Sequence, residues 1–383
     1  MPEDPSDSPG SPGPTPDADA DAGAEDSPQP PVDLGWLPGS LAELDAERPP
    51  RLTRGRLVTG LLSAMVVIAL LAWVLPWATG ASWGAITDTL VALPPWAVPA
   101  MGLLGVGALL LEAVTVRAAL PGARWTGVLL AHPVAGATAL AIPGGSVIGL
   151  GLMGWILRRS GLGLPVILTG IVAASLVEMV LTSVLIPLLG LAAYALSPVL
   201  APVAVSLPGT WWAAVLAVLG AVLALVLTLV MLRRTVLSAL LGQLGELVPA
   251  PVAGVILTQR DVLVEMLRHR WPALVAPTLG ARVLQWAALV LAIEAVGAQV
   301  PLLLTVAIFA LGRVLSLVPL TPGGAGVTET VGAAALIALG VAAADAAAAM
   351  LLLLVTMLLV PLLTGAVTTV VALGSAPDRR EIG

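Results

Sequence analysis

Leu320-Thr321-Pro322-Gly323-Gly324-Ala325-Gly326 interrupts an apolar stretch, with the run 301–320 before it and the short run 324–340 after it. Proline has no N–H to donate to the preceding turn, so a helix stops there. The glycines that follow permit φ > 0 and close backbone approach. The same device recurs at Ala141-Ile142-Pro143-Gly144-Gly145-Ser146, between the runs 126–142 and 146–157. Outside these four runs the apolar segments are 57–77, 96–117, 165–190, 210–232, 272–295 and 346–372. Segments that approach or exceed twenty residues cross a hydrocarbon layer of about 30 Å as helices. Apolar and polar residues do not alternate along them, which excludes a membrane barrel. With 58% hydrophobic and 10% charged residues, against about 25% charged in soluble domains, the chain reads as an all-α polytopic membrane helix bundle and not as a soluble enzyme.

The net charge of −6 is the sum of two unlike parts. Residues 1–47 hold twelve acidic residues and no basic one; the remainder holds 17 Arg against 11 acids. Residues 1–34 are rich in Pro, Asp, Ser and Gly and have little to bury, so the acidic tail 1–47 is expected to be disordered and cytoplasmic. It serves as a solvated spacer or as a docking tail for a basic protein partner. No secretory signal precedes the first apolar run near Leu57. The membrane domain is read as 48–374, followed by a short cytoplasmic tail, 375–383.

Arginine placement sets the orientation. With the N-terminus inside, Arg117, Arg124, Arg158, Arg159, Arg233 and Arg234 all fall on the inner face, as do Arg260, Arg268, Arg270, Arg379 and Arg380. The outer loops 78–95, 191–209 and 296–300 contain no Arg. Both termini are therefore expected in the cytoplasm of a multi-pass cell-membrane protein. In this orientation the chain meets the first Pro-Gly-Gly travelling outward and the second travelling inward. The halves 96–232 and 272–372 thus form an inverted repeat with two broken helix pairs, a signature of alternating-access carriers. Between them, 235–271 places apolar residues at helical spacing, and Pro249 and Pro251 divide it into two short amphipathic helices on the inner surface.

Every basic side chain is Arg and there is no Cys, so lysine-based covalent chemistry, disulfides and Cys-ligated metals are excluded. His132 and His269 lie too far apart to suggest a metal site. No cofactor and no nucleic-acid partner is expected. Charged groups at membrane depth are costly and face the bundle interior. The candidates are Glu112, Glu178, Arg282, Glu294, Arg313 and Glu329, with His132 as a polar neighbour. Arg282 and Arg313 each lie roughly 15 Å from the nearest expected helix end, near the midplane. Glu178 is also mid-span, and Glu329 follows Gly324 by five residues. Glu112 and Glu294 lie nearer the ends. One reading pairs these charges to fix helix packing. The other uses Arg282 and Arg313 to grip a phosphate, which the guanidinium fork suits, with Glu178, Glu329 and His132 around it and free N–H groups at the helix starts. Asp345 is read as a helix cap. Trp73, Trp77, Trp83, Trp96, Trp125, Trp211, Trp212 and Trp271 form an interfacial belt.

The stretch from Arg313 through Val314-Leu315-Ser316-Leu317-Val318-Pro319-Leu320 and the second break to Glu329 resembles the signature of the flippase-like family. This is the lysylphosphatidylglycerol synthase transmembrane-region family, which includes the membrane part of the multiple peptide resistance factor. Its Pro-Gly-Gly-x-Gly-x-x-Glu pattern is filled by Pro322, Gly323, Gly324, Gly326 and Glu329, and Gly340 fits the following helix. The first half, from Pro143 to Arg159 and on to Glu178, fits more loosely. The family's first break often reads Pro-x-Arg-x-Gly-Glu, where this chain has Pro143-Gly144-Gly145-Ser146-Val147-Ile148-Gly149. The family's last span usually carries an Arg, where 350–360 is apolar here. The resemblance covers about 57–374 and implies translocation of a lipid or lipid-linked head group. The lysyl-transferring members carry a large soluble domain after the membrane region, and only nine residues follow position 374 here, so no catalysis is expected. A transporter for an anionic or amphipathic lipid is the leading expectation, with membrane lipids as partners. A non-catalytic scaffold or accessory subunit of envelope synthesis is the alternative.

Overall fold

The computed structural model describes residues 54–142, 145–200, 210–243, 250–316 and 321–374. The tails 1–47 and 375–383, and Pro143 and Gly144 of the first break, lie outside the described residues. Every regular element among those described is helical. In order they are α1 (Arg54–Ala69, continuing through a π turn, Leu70–Val74, into Leu75–Thr79), α2 (Trp83–Val91), α3 (Ala97–Ala119), α4 (Trp125–Ala141) and α5 (Gly145–Arg159). Then come α6 (Leu164–Val180, π turn Leu181–Leu185, Ile186–Leu200), α7 (Thr210–Leu232), α8 (Arg234–Gln243) and α9 (Ala250–Ala295). The last are α10 (Leu302–Leu315), α11 (Val327–Ala338) and α12 (Ala343–Leu354, π turn Val355–Leu359, Val360–Gly374). Six of them, α1, α3, α6, α7, α9 and α12, are long and apolar enough to cross a membrane.

The two helices on either side of each break are all short. α4 and α5 have 17 and 15 residues, α10 and α11 have 14 and 12. At 1.5 Å per residue each falls below the roughly 30 Å of a bilayer core. Both helices of each pair are thus shorter than the six long ones, where the sequence suggested that only 146–157 and 324–340 were short. The helical part of 301–320 ends at Leu315. Glycine closes the first hairpin: a Cβ on Gly149 would stand 2.5 Å from the carbonyl oxygen of Ala135, so only hydrogen lets α5 lie against α4 at this distance.

The inverted repeat is visible in packing and in sequence. Each half runs long helix, two short helices, long helix with a π turn: α3, α4, α5, α6, then α9, α10, α11, α12. α3 and α9 lie along one another, joined by a hydrogen bond between the Thr115 and Thr278 hydroxyls at 2.9 Å. The hairpins are exchanged across this pair. α4 packs on the later part of α12, where Gly365 meets Ala137 and the Pro133 carbonyl; α10 packs on the later part of α6, where Gly190 meets Ala310. The two π turns match residue by residue. Leu181-Thr182-Ser183-Val184-Leu185-Ile186-Pro187-Leu188-Leu189 corresponds to Val355-Thr356-Met357-Leu358-Leu359-Val360-Pro361-Leu362-Leu363.

Proline explains the π turns. Pro76, Pro187 and Pro361 each come two residues after one ends. A proline ring in an α-helix collides with the carbonyl four residues back. Here the residue before each proline donates to the carbonyl five back, Leu75 to Leu70, Ile186 to Leu181 and Val360 to Val355, and the wider turn makes room. The Ala72 carbonyl, which Pro76 cannot serve, accepts from the Trp83 indole N–H at 2.8 Å. That bond anchors α2, a helix the sequence reading left inside the loop 78–95. Ser82 caps it by accepting from the Ala85 N–H.

The segment 235–271 also differs from expectation. It holds α8, but its second helix does not end before the span that follows. α9 runs unbroken for 46 residues, about 69 Å at the helical rise, with Pro272 and Pro277 inside it. Pro251 sits in its first turn, where a missing N–H costs nothing. Residues 244–249, with Pro249, lie outside the described residues. The buried core gathers around each hairpin in turn: Val128, Ile156, Leu157 and Ile167 around the first, Leu289, Ile293, Ile308 and Leu336 around the second. α1 and α7 stand at the periphery, each with only 11% of its span residues buried.

Candidate functional site

Close packing of α3 against α9 sets the centre of the site. Gly280 admits the Leu111 side chain and Gly107 admits Leu284, so the two helices approach closely. One turn along, Glu112 of α3 faces Arg282 of α9. Arg282 Nη2 donates to Glu112 Oε1 at 2.9 Å and to Glu178 Oε1 of α6 at 2.7 Å. Its Nη1 donates to Gln285 Oε1 at 2.5 Å. On one side the network continues to α4, where His132 Nε2 lies 3.2 Å from Glu112 Oε2 and donates to it, since an ionised carboxylate only accepts. On the other it continues to α10, where Arg313 Nη2 lies 3.8 Å from Glu178 Oε1. The Thr182 hydroxyl of the α6 π turn donates to that same oxygen at 2.8 Å. Five helices are thus tied together, and the chain of charges runs from one hairpin to the other.

The two arginines stand differently in this network. Arg282 is buried, with two carboxylates and an amide on its guanidinium. Among the described residues Arg313 has only the 3.8 Å contact with Glu178 as an ion pair, while the buried Nε of both arginines has no hydrogen-bond partner. It also borders a cavity of about 270 Å³ between α10, the second break, α11 and the π turn of α12. Arg313, Ser316, Thr328 and Glu329 supply the polar part of the wall, while Leu140 and Gly323 bring the two hairpin tips together at its edge. That contact is tight: Leu140 Cδ2 lies 2.6 Å from where a Cβ on Gly323 would stand.

The second break shapes the floor. Pro322–Gly324 forms one 3-10 turn, and Gly323 and Gly326 hold φ of 61° and 87°, which side-chain-bearing residues avoid. A Cβ on Gly326 would also come within 2.7 Å of Leu70 Cβ in the α1 π turn. α11 starts here, and Glu329 caps it: Glu329 Oε2 accepts from the Gly326 N–H at 2.5 Å and Oε1 from the Thr328 hydroxyl at 2.9 Å. The helix start that was expected to aim free N–H groups at the cavity has one of them taken by its own glutamate. Thr321 Oγ1, at the same break, is buried without a partner among the described residues.

Of the residues singled out in the sequence, Arg282, Arg313, Glu178 and His132 meet in one network, and Glu329 joins Arg313 on the cavity wall. Arg282, Glu178 and His132 connect to the cavity through Arg313. Pro322, Gly323, Gly324 and Gly326 build the break beside it, and Gly145 begins α5 against the end of α4. Glu112, the weaker candidate because it lies nearer a helix end, sits between His132 and Arg282. Gln285 and Thr182 were not noticed, although i+3 from Arg282 and i+4 from Glu178 place each on the face of its charged neighbour. Glu294 is exposed near the C-terminal end of α9. Asp345, in the first turn of α12, accepts from the Thr89 hydroxyl of α2 at 3.1 Å. Trp73, Trp77, Trp83, Trp96, Trp125, Trp212 and Trp271 are exposed, and Arg117 stacks over the Trp125 ring at 4.6 Å. Among the described residues no three His, Asp or Glu side chains converge as a metal site would require.

A model of the lysylphosphatidylglycerol synthase TM region matches residues 60–365. The chain belongs to this family. The family match begins in α1 and ends in the last helix, and so takes in both hairpins, the charge network and the cavity. It establishes a multi-pass integral membrane protein, in agreement with the six long apolar helices. Comparison with curated proteins finds no match.

Proposed function

We propose that this protein carries an anionic or amphipathic lipid, or a lipid-linked head group, across the cytoplasmic membrane, and that it does so without catalysing a reaction. The supporting observation is Arg313, a half-buried cation on the wall of a largely apolar cavity, whose only ion pair among the described residues is 3.8 Å long and whose terminal nitrogens lack the close carboxylate contacts that Arg282 has. A cation held partly away from water gains from any anion that completes its pairing. A phosphate matches the guanidinium fork. The space, about 270 Å³, equals roughly nine waters at liquid density. It takes a head group and leaves acyl chains in the bilayer.

Arg282 then has the other role weighed for it. Its two terminal nitrogens are already committed to Glu112, Glu178 and Gln285, and it holds the five helices in register behind Arg313. The arginine asymmetry of the loops favours both termini in the cytoplasm. Membrane lipids are the partners of this reading, with the acidic tail 1–47 available to a basic protein.

The test uses proteoliposomes carrying a fluorescent phosphatidylglycerol whose outward-facing fraction is quenched chemically. Wild-type protein should move the label between leaflets. Arg313→Gln should stop it, and Arg313→Lys should restore part. If Arg313→Gln and Arg282→Gln both move the lipid at the wild-type rate, the proposal fails.

A further inference from the structure

The charge network does more than hold helices together, because each of its carboxylates is shared. Glu112 gives Oε2 to His132 and Oε1 to Arg282; Glu178 gives one oxygen, Oε1, to Arg282, Thr182 and, more distantly, Arg313. A carboxylate drawn toward one partner weakens its hold on the other. His132 stands at one end of this chain and the cavity cation at the other. We infer that His132 binds the proton whose uptake is coupled to anion binding at Arg313, which makes H⁺ the coupling ion of the transport cycle. The inference rests on the reading of the cavity as a head-group site.

The causal chain runs through four contacts. A proton on His132 draws Glu112 toward the imidazolium. Arg282 loses part of Glu112 and leans on Glu178. Glu178 turns further from its 3.8 Å contact with Arg313, and Arg313 becomes free for an anion. Charge counting agrees. With His132 neutral, Arg282 and Arg313 balance Glu112 and Glu178. One added proton leaves the network at +1, which a phosphodiester in the cavity cancels.

Among the described residues, Glu112 is the charged group in contact with His132. Of the elements packed on α4, α3 brings Glu112. α5 brings Arg158 and Arg159 at its C-terminal end, in the last turn. The segment Val360–Gly374 of α12 and the turn Pro322–Gly324 bring no charge, and neither does α1 from Val58 onward. Glu329 is occupied by the Gly326 N–H and the Thr328 hydroxyl. An imidazole can gain or lose a proton without leaving its contact with a carboxylate, which suits His132 to this place in the network.

The experiment measures binding of a short-chain phosphatidylglycerol to the full-length protein in detergent by calorimetry, from pH 8 to pH 5.5. A phosphodiester keeps its charge over this range, so the protein supplies any pH dependence. Wild-type affinity should rise by about fivefold or more as pH falls, the lower end of ordinary coupling between sites. By reciprocity, binding should take protons from weakly buffered solution, up to one per ligand. His132→Gln should bind with a flat pH profile and no proton uptake, and Arg313→Gln should not bind. A wild-type slope that persists in His132→Gln, or binding with no proton uptake by the wild-type protein, overturns the inference while leaving the cavity reading intact. Absence of wild-type binding at every pH, or undiminished binding by Arg313→Gln, overturns the cavity reading itself. If His132→Gln does not fold, proton uptake by the wild-type protein decides.

Discussion

Arg282→Gln should cost the fold several times what Arg313→Gln costs. The Arg282 guanidinium makes three hydrogen bonds, at 2.9 Å to Glu112, 2.7 Å to Glu178 and 2.5 Å to Gln285, and only 8% of its side chain is exposed. A neutral amide leaves two carboxylates without their cation, and removing one partner of a buried pair costs about 3–5 kcal/mol. The Glu178 side chain is 36% exposed, so most of that loss belongs to Glu112. Arg313, with one ion pair at 3.8 Å and 22% side-chain exposure, should lose about 1 kcal/mol or less. A double-mutant cycle between Glu112→Gln and Arg282→Gln should return a coupling of about 1.5–3 kcal/mol, the range of a charged hydrogen bond. The assay is unfolding by sodium dodecyl sulfate in mixed micelles, read by tryptophan fluorescence. If Arg282→Gln is no worse than Arg313→Gln, or the cycle returns less than about 0.5 kcal/mol, Arg282 is not the tie between the helices and the two arginines do not divide their roles as argued.

The same unfolding assay checks the helix contacts. Gly190→Ala and Gly365→Ala press a methyl against Ala310 and against Ala137 with the Pro133 carbonyl, and each should lose about 1–3 kcal/mol. Gly102→Ala, which meets nothing within 4 Å, should be neutral or gain up to about 1 kcal/mol of helix propensity. Glu329→Ala removes the acceptor of the Gly326 N–H and should lose about 1 kcal/mol, whereas Glu329→Gln keeps an acceptor and should lose little. Gly326→Ala forces a side chain onto a φ of 87° and should lose about 1–2 kcal/mol for that conformation, more if Leu70 cannot move. Pro187→Ala and Pro361→Ala restore the missing donor, and amide hydrogen exchange should then show the π turns tightening toward α. Unchanged exchange at Leu181–Leu185 and Val355–Leu359 would mean that proline does not cause them.

Long apolar runs admit one solution in lipid, the helix, because every backbone N–H and C=O must find its partner inside the segment. For that reason the helical class, the places of the six long helices and the second break at Pro322–Gly324 were legible in the sequence. Arginine asymmetry and the opposite direction of the breaks made the inverted repeat legible as well. The π turns were also written in the chain, as the matching Pro187 and Pro361 segments, but a hydropathy pattern carries no sign of a one-residue change in hydrogen-bond register. α9 could not be bounded from sequence, since Pro272 ends a helix only where its surroundings cannot accommodate the freed carbonyl.

The charged residues show the same division. One-dimensional spacing identified Arg282, Arg313, Glu178 and Glu329 as buried groups, because charge at membrane depth is rare and conspicuous. It could not say which arginine is paired, or that Glu112 and His132 complete the chain, or that Glu329 is bound to its own helix start. Those depend on distances of about 3 Å between side chains up to 170 positions apart. Such distances are set by how closely glycine lets α3, α9 and the two hairpins approach, a property of the packed bundle and of no single segment.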